Sequence, residues 1–396
     1  MMVLANAWND PSARVSYHDA LDVFLVHLQE DRVPNDLSAK FSDRANLAFS
    51  SMLGISKMGE ILPEDGPAVR RLADAWQGIY KWSVYIFSTR IEGLERTQRR
   101  RQVALDVLST FWYCICFRDI IRAQMVQSTA TVEIATRLWL EEDNAAHASH
   151  VNAPAGTCLL GCLLREAKTE QLDRVLKAVG GKATEVAKLS IARLQRSLKG
   201  PDYIPAPISM YLDLLNSFSR EAEHPLRHAL LSANVISVVS GALVKLSVLV
   251  NTSRDPAFLD TMISAFGYLR NCLESTDGFT WINQAIGAGF LQAFCDCSTR
   301  FAELDPNDYK MIETIIARIL PPYLVFRSVI EAADSALTKI ERGVQRQRVE
   351  DSKAKDPWER FVRLARERMV VVRRAEAEKG TKIICDNAKV RRRYVH

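Results

Sequence analysis

Residues 281–297, WINQAIGAGFLQAFCDC, contain the pattern that decides the fold of this chain: a short helical segment, a turn of small residues and a second apolar segment. Residues 224–243, HPLRHALLSANVISVVSGAL, have the same layout. In both stretches apolar side chains recur at steps of three and four residues, which places them on one face of a helix. Each stretch therefore predicts two helices joined by a tight turn.

The same helical periodicity extends along most of the chain, and sustained alternation with a period of two is hard to find before residue 380. Aspartate-proline pairs precede several of the periodic runs. Aspartate accepts hydrogen bonds from free amides at a helix start, and proline is tolerated in the first turn. These pairs are Asp10-Pro11, Asp255-Pro256, Asp305-Pro306 and Asp356-Pro357. The sequence predicts an all-α protein.

The small-residue turns recur at long intervals, near Ala130, Gly181, Asn234, Gly289 and Ser328. Their separations of 51, 53, 55 and 39 residues fall in the range of armadillo and HEAT repeats, in which helical hairpins bury their apolar faces by stacking. We therefore expect an armadillo/HEAT-like helical superhelix. A non-repeating helical bundle has the same periodicity and remains the alternative.

Within the superhelix, Trp281 and Phe290 are expected to be buried between neighbouring repeats. The Pro-dense stretch 199–208 predicts a loop that crosses between two halves, and 151–157 predicts a second break. The most apolar window, 229–250, contains Asn234 and Lys245 and is expected to form a buried helix pair rather than a membrane span.

Composition limits the class of protein. The 396 residues are 48% hydrophobic and 25% charged, which excludes a wholly disordered chain. Eight cysteines in a chain of this length do not suggest a disulfide framework, and the first twenty residues lack the features of a secretory signal. We expect free thiols and an intracellular protein, cytoplasmic or nuclear.

Charge is distributed unevenly. Residues 342–396 contain 17 Lys and Arg against 8 Asp and Glu, which leaves 35 basic and 39 acidic residues for the rest of the chain. Within this segment one predicted helix has an apolar face of Trp358, Phe361, Val362, Ala365, Met369 and Val372, with Arg360, Arg363, Arg366, Arg373 and Arg374 mostly around the other side. The helix could bind nucleic acid, acidic partners or a membrane surface, or dock its aromatic face on the rest of the fold.

The segment WERFVRLARER followed by ICDNAK resembles the entry to a MYND-type zinc finger, as in fungal proteins with a long helical region before a C-terminal finger. Cys385, Asp386, Asn387 and Lys389 match the opening of that finger. Val390 stands where a second cysteine is expected, and the downstream ligands are absent. The resemblance implies zinc as the family's metal, with Cys385 at a ligand position, and contacts with proteins or peptides.

On these grounds the chain divides into an armadillo-like repeat region at 1–341, a basic amphipathic helix and linker at 342–380 and an incomplete MYND-like segment at 381–396. Structural zinc needs four converging ligands, and Val390 offers no donor atom. We therefore expect no structural zinc in this chain.

Other candidate chemistry is sparse. His147, His150, Cys158 and Cys162 could form a metal site, although the two cysteines lie among leucines and are expected to be core residues. The pairs Cys114/Cys116 and Cys295/Cys297 point to different helix faces, and the acidic run at 141–143 is interpreted as a solvated helix end. The sequence contains no GxSxG, P-loop, HExxH or SET signature.

The sequence thus favours a non-enzymatic scaffold that binds partner proteins or peptides through a helical-repeat surface. The alternative hypothesis is a nucleic-acid-binding protein that acts through the basic C-terminal segment. The two differ in salt dependence, because binding to phosphates weakens steeply as salt rises.

Overall fold

The computed structural model describes residues 16–36, 42–59, 61–93, 98–128, 130–144, 154–166, 168–199, 203–253, 255–275 and 278–377. Across these ranges the chain forms α-helices with short 3₁₀ and π turns, and no strand occurs in them. The prediction of an all-α fold is confirmed. The chain divides into two compact units, Met1–Lys182 and Ala183–His396.

The first unit contains nine described helices. They are α1 Tyr17–His27, α2 Asp43–Met58, α3 Pro67–Asp74, α4 Trp76–Ile86, α5 Gln98–Cys116, α6 Asp119–Gln127, α7 Thr131–Leu140, α8 Ala155–Leu163 and α9 Thr169–Ala178. Several pack on the helix three places further along the chain, as in the pairs α2–α5, α3–α6 and α5–α8.

Buried tryptophans form much of the core of the first unit. Trp82 and Trp112 are fully buried, and their indole N–H groups still find acceptors. Trp112 Nε1 donates to Ser83 Oγ at 2.8 Å, and Trp82 Nε1 donates to the Gln29 carbonyl at 3.2 Å. A buried indole keeps its large apolar area without an unsatisfied donor in this way.

The acidic run at 141–143 is not simply solvated, which corrects the sequence interpretation. Glu142 accepts from the backbone N–H of Thr157 at 2.8 Å and from the Thr157 hydroxyl at 2.6 Å. Thr157 lies in the first turn of α8, where free amides and the helix dipole attract a carboxylate. Glu141 pairs with Arg101 at 3.0 Å. The run therefore joins α7, α8 and α5.

The second unit contains eleven described helices. They are α10 Ala183–Ser197, α11 Pro205–Phe218, α12 Pro225–Ser232, α13 Val235–Thr252, α14 Ala257–Glu274, α15 Thr280–Gly287, α16 Phe290–Cys297, α17 Pro306–Thr314, α18 Arg327–Glu341, α19 Gln345–Glu350 and α20 Lys355–Ala377. Contacts again link helices three places apart, as in α10–α13, α11–α14, α13–α16, α14–α17, α15–α18 and α16–α19.

The predicted small-residue turns at Asn234 and Gly289 are present. Asn234 has φ 61° immediately before α13, and Gly289 has φ 95° immediately before α16. Asparagine and glycine tolerate this left-handed conformation better than other residues. In both places an eight-residue helix precedes the turn. The helices on either side of each turn contact each other.

Aromatic rings fill the core of the second unit around Phe266. Its ring centroid lies 6.0 Å from that of Phe290, 6.4 Å from that of Phe294 and 6.2 Å from that of Phe301, and each pair is edge-on. Phe290 is fully buried as predicted. Trp281 is only partly buried, so that prediction was wrong. It occupies the second position of α15, whose buried residues are Ile282, Ala285 and Ile286.

The Pro-dense stretch 199–208 contains the start of a helix. Within the stretch 199–208, Pro205 begins α11 rather than extending a loop, because proline fits the first helical turn. The two units separate after Lys182, upstream of that stretch.

By length and composition, Val235–Thr252 could cross a membrane, but half of it is buried against other helices. Lys245 on this helix donates to the Leu198 carbonyl at 2.8 Å.

Candidate functional site

A cleft of about 640 Å³ lies in the second unit between α14, α17 and the two turns that follow α17. It is lined by Arg270, Leu273, Glu274, Asn307, Lys310, Met311, Thr314, Arg318, Ile319, Pro322 and Tyr323. A second cavity of about 260 Å³ shares Lys310, Thr314 and Arg318 with it and adds Glu313, Ala317 and Arg360. We call the two together the basic cleft.

The helix that carries much of the cleft begins where the sequence predicts. Asp305 precedes α17, and its carboxylate accepts from the backbone N–H groups of Asn307 at 2.7 Å and Asp308 at 3.1 Å. These hydrogen bonds lower the pKa of Asp305. Pro306 occupies the first position of the helix. The start of α17, and with it the place of Lys310, is therefore encoded locally.

The other end of α17 widens into a π turn at Ile315–Ile319. The N–H of Leu320 donates to the Ile315 carbonyl at 2.9 Å, a bond that spans five residues. Pro321 and Pro322 follow, and because proline has no N–H, the helix cannot continue through them. Ile315, Ile316 and Ile319 are buried, which fixes the turn and leaves Arg318 exposed at the cleft.

The terminal helix α20 supplies the third cation. Tyr309 of α17 donates from its hydroxyl to the Lys353 carbonyl at 2.8 Å, which ties the segment before α20 to α17. Burial, with the nearby carboxylates of Glu313 and Asp356, raises the pKa of Tyr309 to about 12, so the hydroxyl keeps its proton near neutral pH. This contact helps to hold α20 beside the cleft that Arg360 lines.

Lys310, Arg318 and Arg360 are exposed, and in the described part of the chain none of them has a carboxylate within ion-pairing distance. By contrast, Arg270 at the same cleft pairs with Glu274 at 3.2 Å. Glu313 also lines the second cavity, so the cleft is not uniformly positive. Its floor is apolar, since Leu273 and Ile319 are buried and line the first cavity.

The cleft combines positive charge with apolar surface. The described residues that line the cleft include no cysteine or histidine. Three cations around an apolar floor can attract carboxylates and accept apolar side chains between them. The basic cleft is therefore an open groove with cations at its rim and buried apolar residues in its lining.

The structure describes only two of the residues that carried the predicted metal chemistry. Cys385 and the whole segment 381–396 lie outside the described residues, as do His147 and His150. Cys158 and Cys162 lie on α8 in the first unit. Among the residues that the structure describes, no group of three or more His, Cys, Asp and Glu side chains is placed to hold a metal ion.

The predicted apolar face of the terminal helix docks on the fold. Trp358, Phe361 and Ala365 are buried, whereas Val362, Met369 and Val372 are partly exposed. Trp358 stacks on Phe294 with ring centroids 5.9 Å apart.

Some of the arginines on α20 are engaged by α18. Arg366 pairs with Asp334 at 2.6 Å and with Glu341 at 2.7 Å, and Arg373 pairs with Asp334 at 3.1 Å. The structure therefore supports the docking interpretation of this helix, with part of its positive charge neutralised inside the protein.

Sequence reasoning did not find the basic cleft. Its cations come from α17, the π turn and α20, at positions 310, 318 and 360, and no short motif joins them. A weak signal existed, because Asp305-Pro306 and Pro321-Pro322 enclose a short helical segment that contains Lys310 and Arg318. No family model, curated protein or solved structure matches this chain.

Proposed function

We propose that this protein is a non-enzymatic interaction scaffold, built as an armadillo/HEAT-like helical superhelix, that binds an acidic segment of a partner protein in the basic cleft. The observation that carries this proposal is the exposed cluster of Lys310, Arg318 and Arg360, which make no ion pair among the described residues and surround an apolar floor.

The superhelical part of the proposal is supported by the spacing of contacts within the second unit. Many side-chain hydrogen bonds of the second unit join residues 44 to 56 positions apart, whereas the bonds of Arg366 and Arg373 to Asp334 span 32 and 39 positions. In a solenoid each repeat contacts mainly its neighbours, so one separation dominates. The range includes most of the intervals between the small-residue turns.

One set of these contacts continues through three helices. Asn251 on α13 donates to the Asp296 carbonyl at 2.8 Å, and the Asp296 carboxylate on α16 pairs with Arg348 on α19. The two steps span 45 and 52 residues. Because α13, α16 and α19 are three places apart in the chain, the set follows the packing order of a three-helix repeat.

The binding part of the proposal follows from charge. A cation that is exposed and unpaired keeps its full attraction for an incoming carboxylate, whereas a paired cation must first lose its partner. Burial of apolar side chains against Leu273 and Ile319 contributes binding free energy that salt does not weaken. Acidic peptides with leucine or phenylalanine between the carboxylates are the expected partners.

A peptide array followed by fluorescence anisotropy on the full chain tests the proposal. The double variant Lys310→Glu/Arg318→Glu should weaken binding of the best acidic peptide by roughly tenfold or more, since two attractions become repulsions. The control is Lys188→Glu, the same charge change on α10, which contributes no residue to the cleft. Unchanged affinity in the double variant, with helical content intact, would contradict the proposal.

The alternative function is nucleic-acid binding through the basic C-terminal segment. It is supported by Arg363, Arg368 and Arg374, which are exposed on α20 and make no ion pair among the described residues. Deleting the chain after residue 341 would not test it cleanly, because Trp358 and Phe361 belong to the core.

Charge reversal is the cleaner test. If the alternative holds, Arg363→Glu/Arg368→Glu should abolish nucleic-acid binding. The same variant should leave any binding of acidic peptides unchanged, because neither arginine lines the basic cleft. Steep weakening with salt should accompany the nucleic-acid binding.

The remaining parts of the proposal rest on the sequence. The resemblance of residues 381–396 to a MYND-type finger supports contacts with proteins or peptides. A role of Cys385 as a zinc ligand rests on that resemblance alone. The seven described cysteines are free thiols, which supports an intracellular location, cytoplasmic or nuclear.

A further inference from the structure

Four cysteines of the first unit lie on α5 and α8, two helices that pack against each other. Cys114 and Cys116 are on α5, and Cys158 and Cys162 are on α8. Cys162 Sγ lies 3.4 Å from the Cys116 carbonyl oxygen, to which the neutral thiol donates. The Cys116 thiol lies 3.2 Å from the Tyr113 carbonyl oxygen of its own helix, and the Cys116 and Cys162 side chains also interact with each other. The chain thus brings together two thiols that are 46 residues apart.

The two thiols have different surroundings. Cys116 is fully buried, whereas Cys162 is partly exposed. Arg122, on α6, hydrogen-bonds to Cys162 and is itself held by Asp119 at 2.7 Å. Arg165, just beyond α8, adds a second positive charge. A partly exposed thiol beside guanidinium groups has the environment of a reactive cysteine.

Other titratable groups around the pair come from each neighbouring element. Tyr113 and Cys114 face it from α5, Cys158 from α8 and Glu142 from the turn after α7. Asp119 and Glu166 act on Arg122. The hydrogen bond from the Cys116 thiol, followed by Arg122 and Arg165, lowers the pKa of Cys162 to about 7 although burial opposes the shift. Burial raises the pKa of the Cys116 and Cys158 thiols.

We infer that Cys162 and Cys116 are a peroxide-sensitive thiol pair, in which Cys162 is the thiol that reacts and Cys116 is the one that closes a disulfide between α8 and α5. The inference does not depend on the proposed binding function, because it concerns the first unit alone.

The chemistry balances with hydrogen peroxide as the oxidant. The Cys162 thiolate attacks a peroxide oxygen, the S–O bond forms as the O–O bond breaks, and the hydroxide released takes up a proton to leave as water. The Cys116 sulfur then attacks the sulfenic acid, the S–S bond forms as the S–O bond breaks, and the thiol proton leaves with the hydroxide as a second water. Two thiols and one peroxide give one disulfide and two waters, and a thiol reductant reverses the step.

Alkylation kinetics of the full chain test which thiol is reactive. A thiol with a pKa near 7 is about half ionised at pH 7, whereas one near the usual value of about 8.5 is ionised to only a few per cent. Iodoacetamide should therefore label Cys162 first among the described cysteines, and Arg122→Gln should slow that labelling by up to roughly tenfold. Faster labelling of another described cysteine in the folded protein would overturn the inference.

Peroxide treatment with peptide mapping tests the pairing. The wild-type chain should form the Cys116–Cys162 disulfide. Cys116→Ser should stop at a sulfenic acid on Cys162 that dimedone traps, and Cys162→Ser should form neither product. Cys158→Ser, one helical turn away on α8, is the matched control and should still form the disulfide.

Circular dichroism identifies any variant that fails to fold, and Cys116→Ala then replaces Cys116→Ser. The inference is wrong if Cys162→Ser still yields a sulfenic acid or disulfide in the first unit. It is also wrong if peroxide leaves the wild-type pair reduced while Cys162 remains open to iodoacetamide.

Discussion

Single side chains decide how the terminal helix is attached. Trp358 is 5% exposed and stacks on Phe294. Its ring centroid lies 6.0 Å from that of Phe361. These rings join α20 to the aromatic cluster around Phe266. The ion pairs of Arg366 and Arg373 with Asp334 lie nearer the surface and contribute less, because solvent screens them. Attachment of α20 therefore depends mainly on the aromatic contacts.

Trp358→Ala should destabilise the second unit by about 3–5 kcal/mol, the usual cost of truncating a large buried aromatic. Urea unfolding monitored by circular dichroism measures this loss. Trp281→Ala is the comparison, and it should cost only about 1–2 kcal/mol, because Trp281 is partly exposed and buries less apolar area. Equal losses in the two variants would contradict the assignment of Trp358 to the core and Trp281 to its edge.

At the scale of elements, the turns between short and long helices depend on one backbone conformation. Gly289 has φ 95°, and a Cβ atom added there would lie 2.9 Å from Val244 Cγ2 on α13. A side chain at this position would therefore meet both backbone strain and a steric contact. Two residues earlier, Gly287 ends α15, and a Cβ atom there meets nothing within 4 Å.

Gly289→Ala should lower stability by at least about 1–2 kcal/mol, the cost of a left-handed conformation for a residue with a Cβ atom. Gly287→Ala should leave stability unchanged or raise it by up to about 1 kcal/mol, because alanine favours the helix and restricts the unfolded chain. Thermal unfolding of the two variants beside the wild type provides the measurement. A neutral Gly289→Ala would show that the turn does not need its left-handed residue.

At the scale of the whole molecule, the helical class governs the spectroscopic behaviour of the chain. The described residues form helices in both units, and no strand occurs among them. Far-ultraviolet circular dichroism should therefore show mostly helix. A strand content near the average for globular proteins, about 20–25%, would contradict this fold.

Much of this architecture is predictable from local sequence. The 3.6-residue period predicts the all-α class, and Asp305-Pro306 marks the start of α17. Asn234 and Gly289 mark two turns that have left-handed residues. Each of these features depends on residues within one or two helical turns of each other, where propensity and capping act directly. The apolar face that contains Trp358 and Phe361 is likewise visible in the sequence of a single helix, whereas its burial against the fold is shown by the structure.

Other features were decided only by the tertiary structure. The period of a helix shows that it has an apolar face, but it does not show how completely a neighbour covers that face, and so Trp281 was wrongly expected to be buried. Likewise, Glu142 caps α8 from the preceding turn because the chain returns there, and Cys162 meets Cys116 because α8 packs on α5.

The basic cleft depends on the tertiary structure for the same reason. Lys310, Arg318 and Arg360 are ordinary surface cations in the sequence, and only packing places them at one groove. Local sequence thus determined which segments are helical and where several of them begin. The contacts between residues about fifty positions apart decided which faces are covered, which charges find partners and which thiols meet, because those outcomes depend on non-local packing that no single helix encodes.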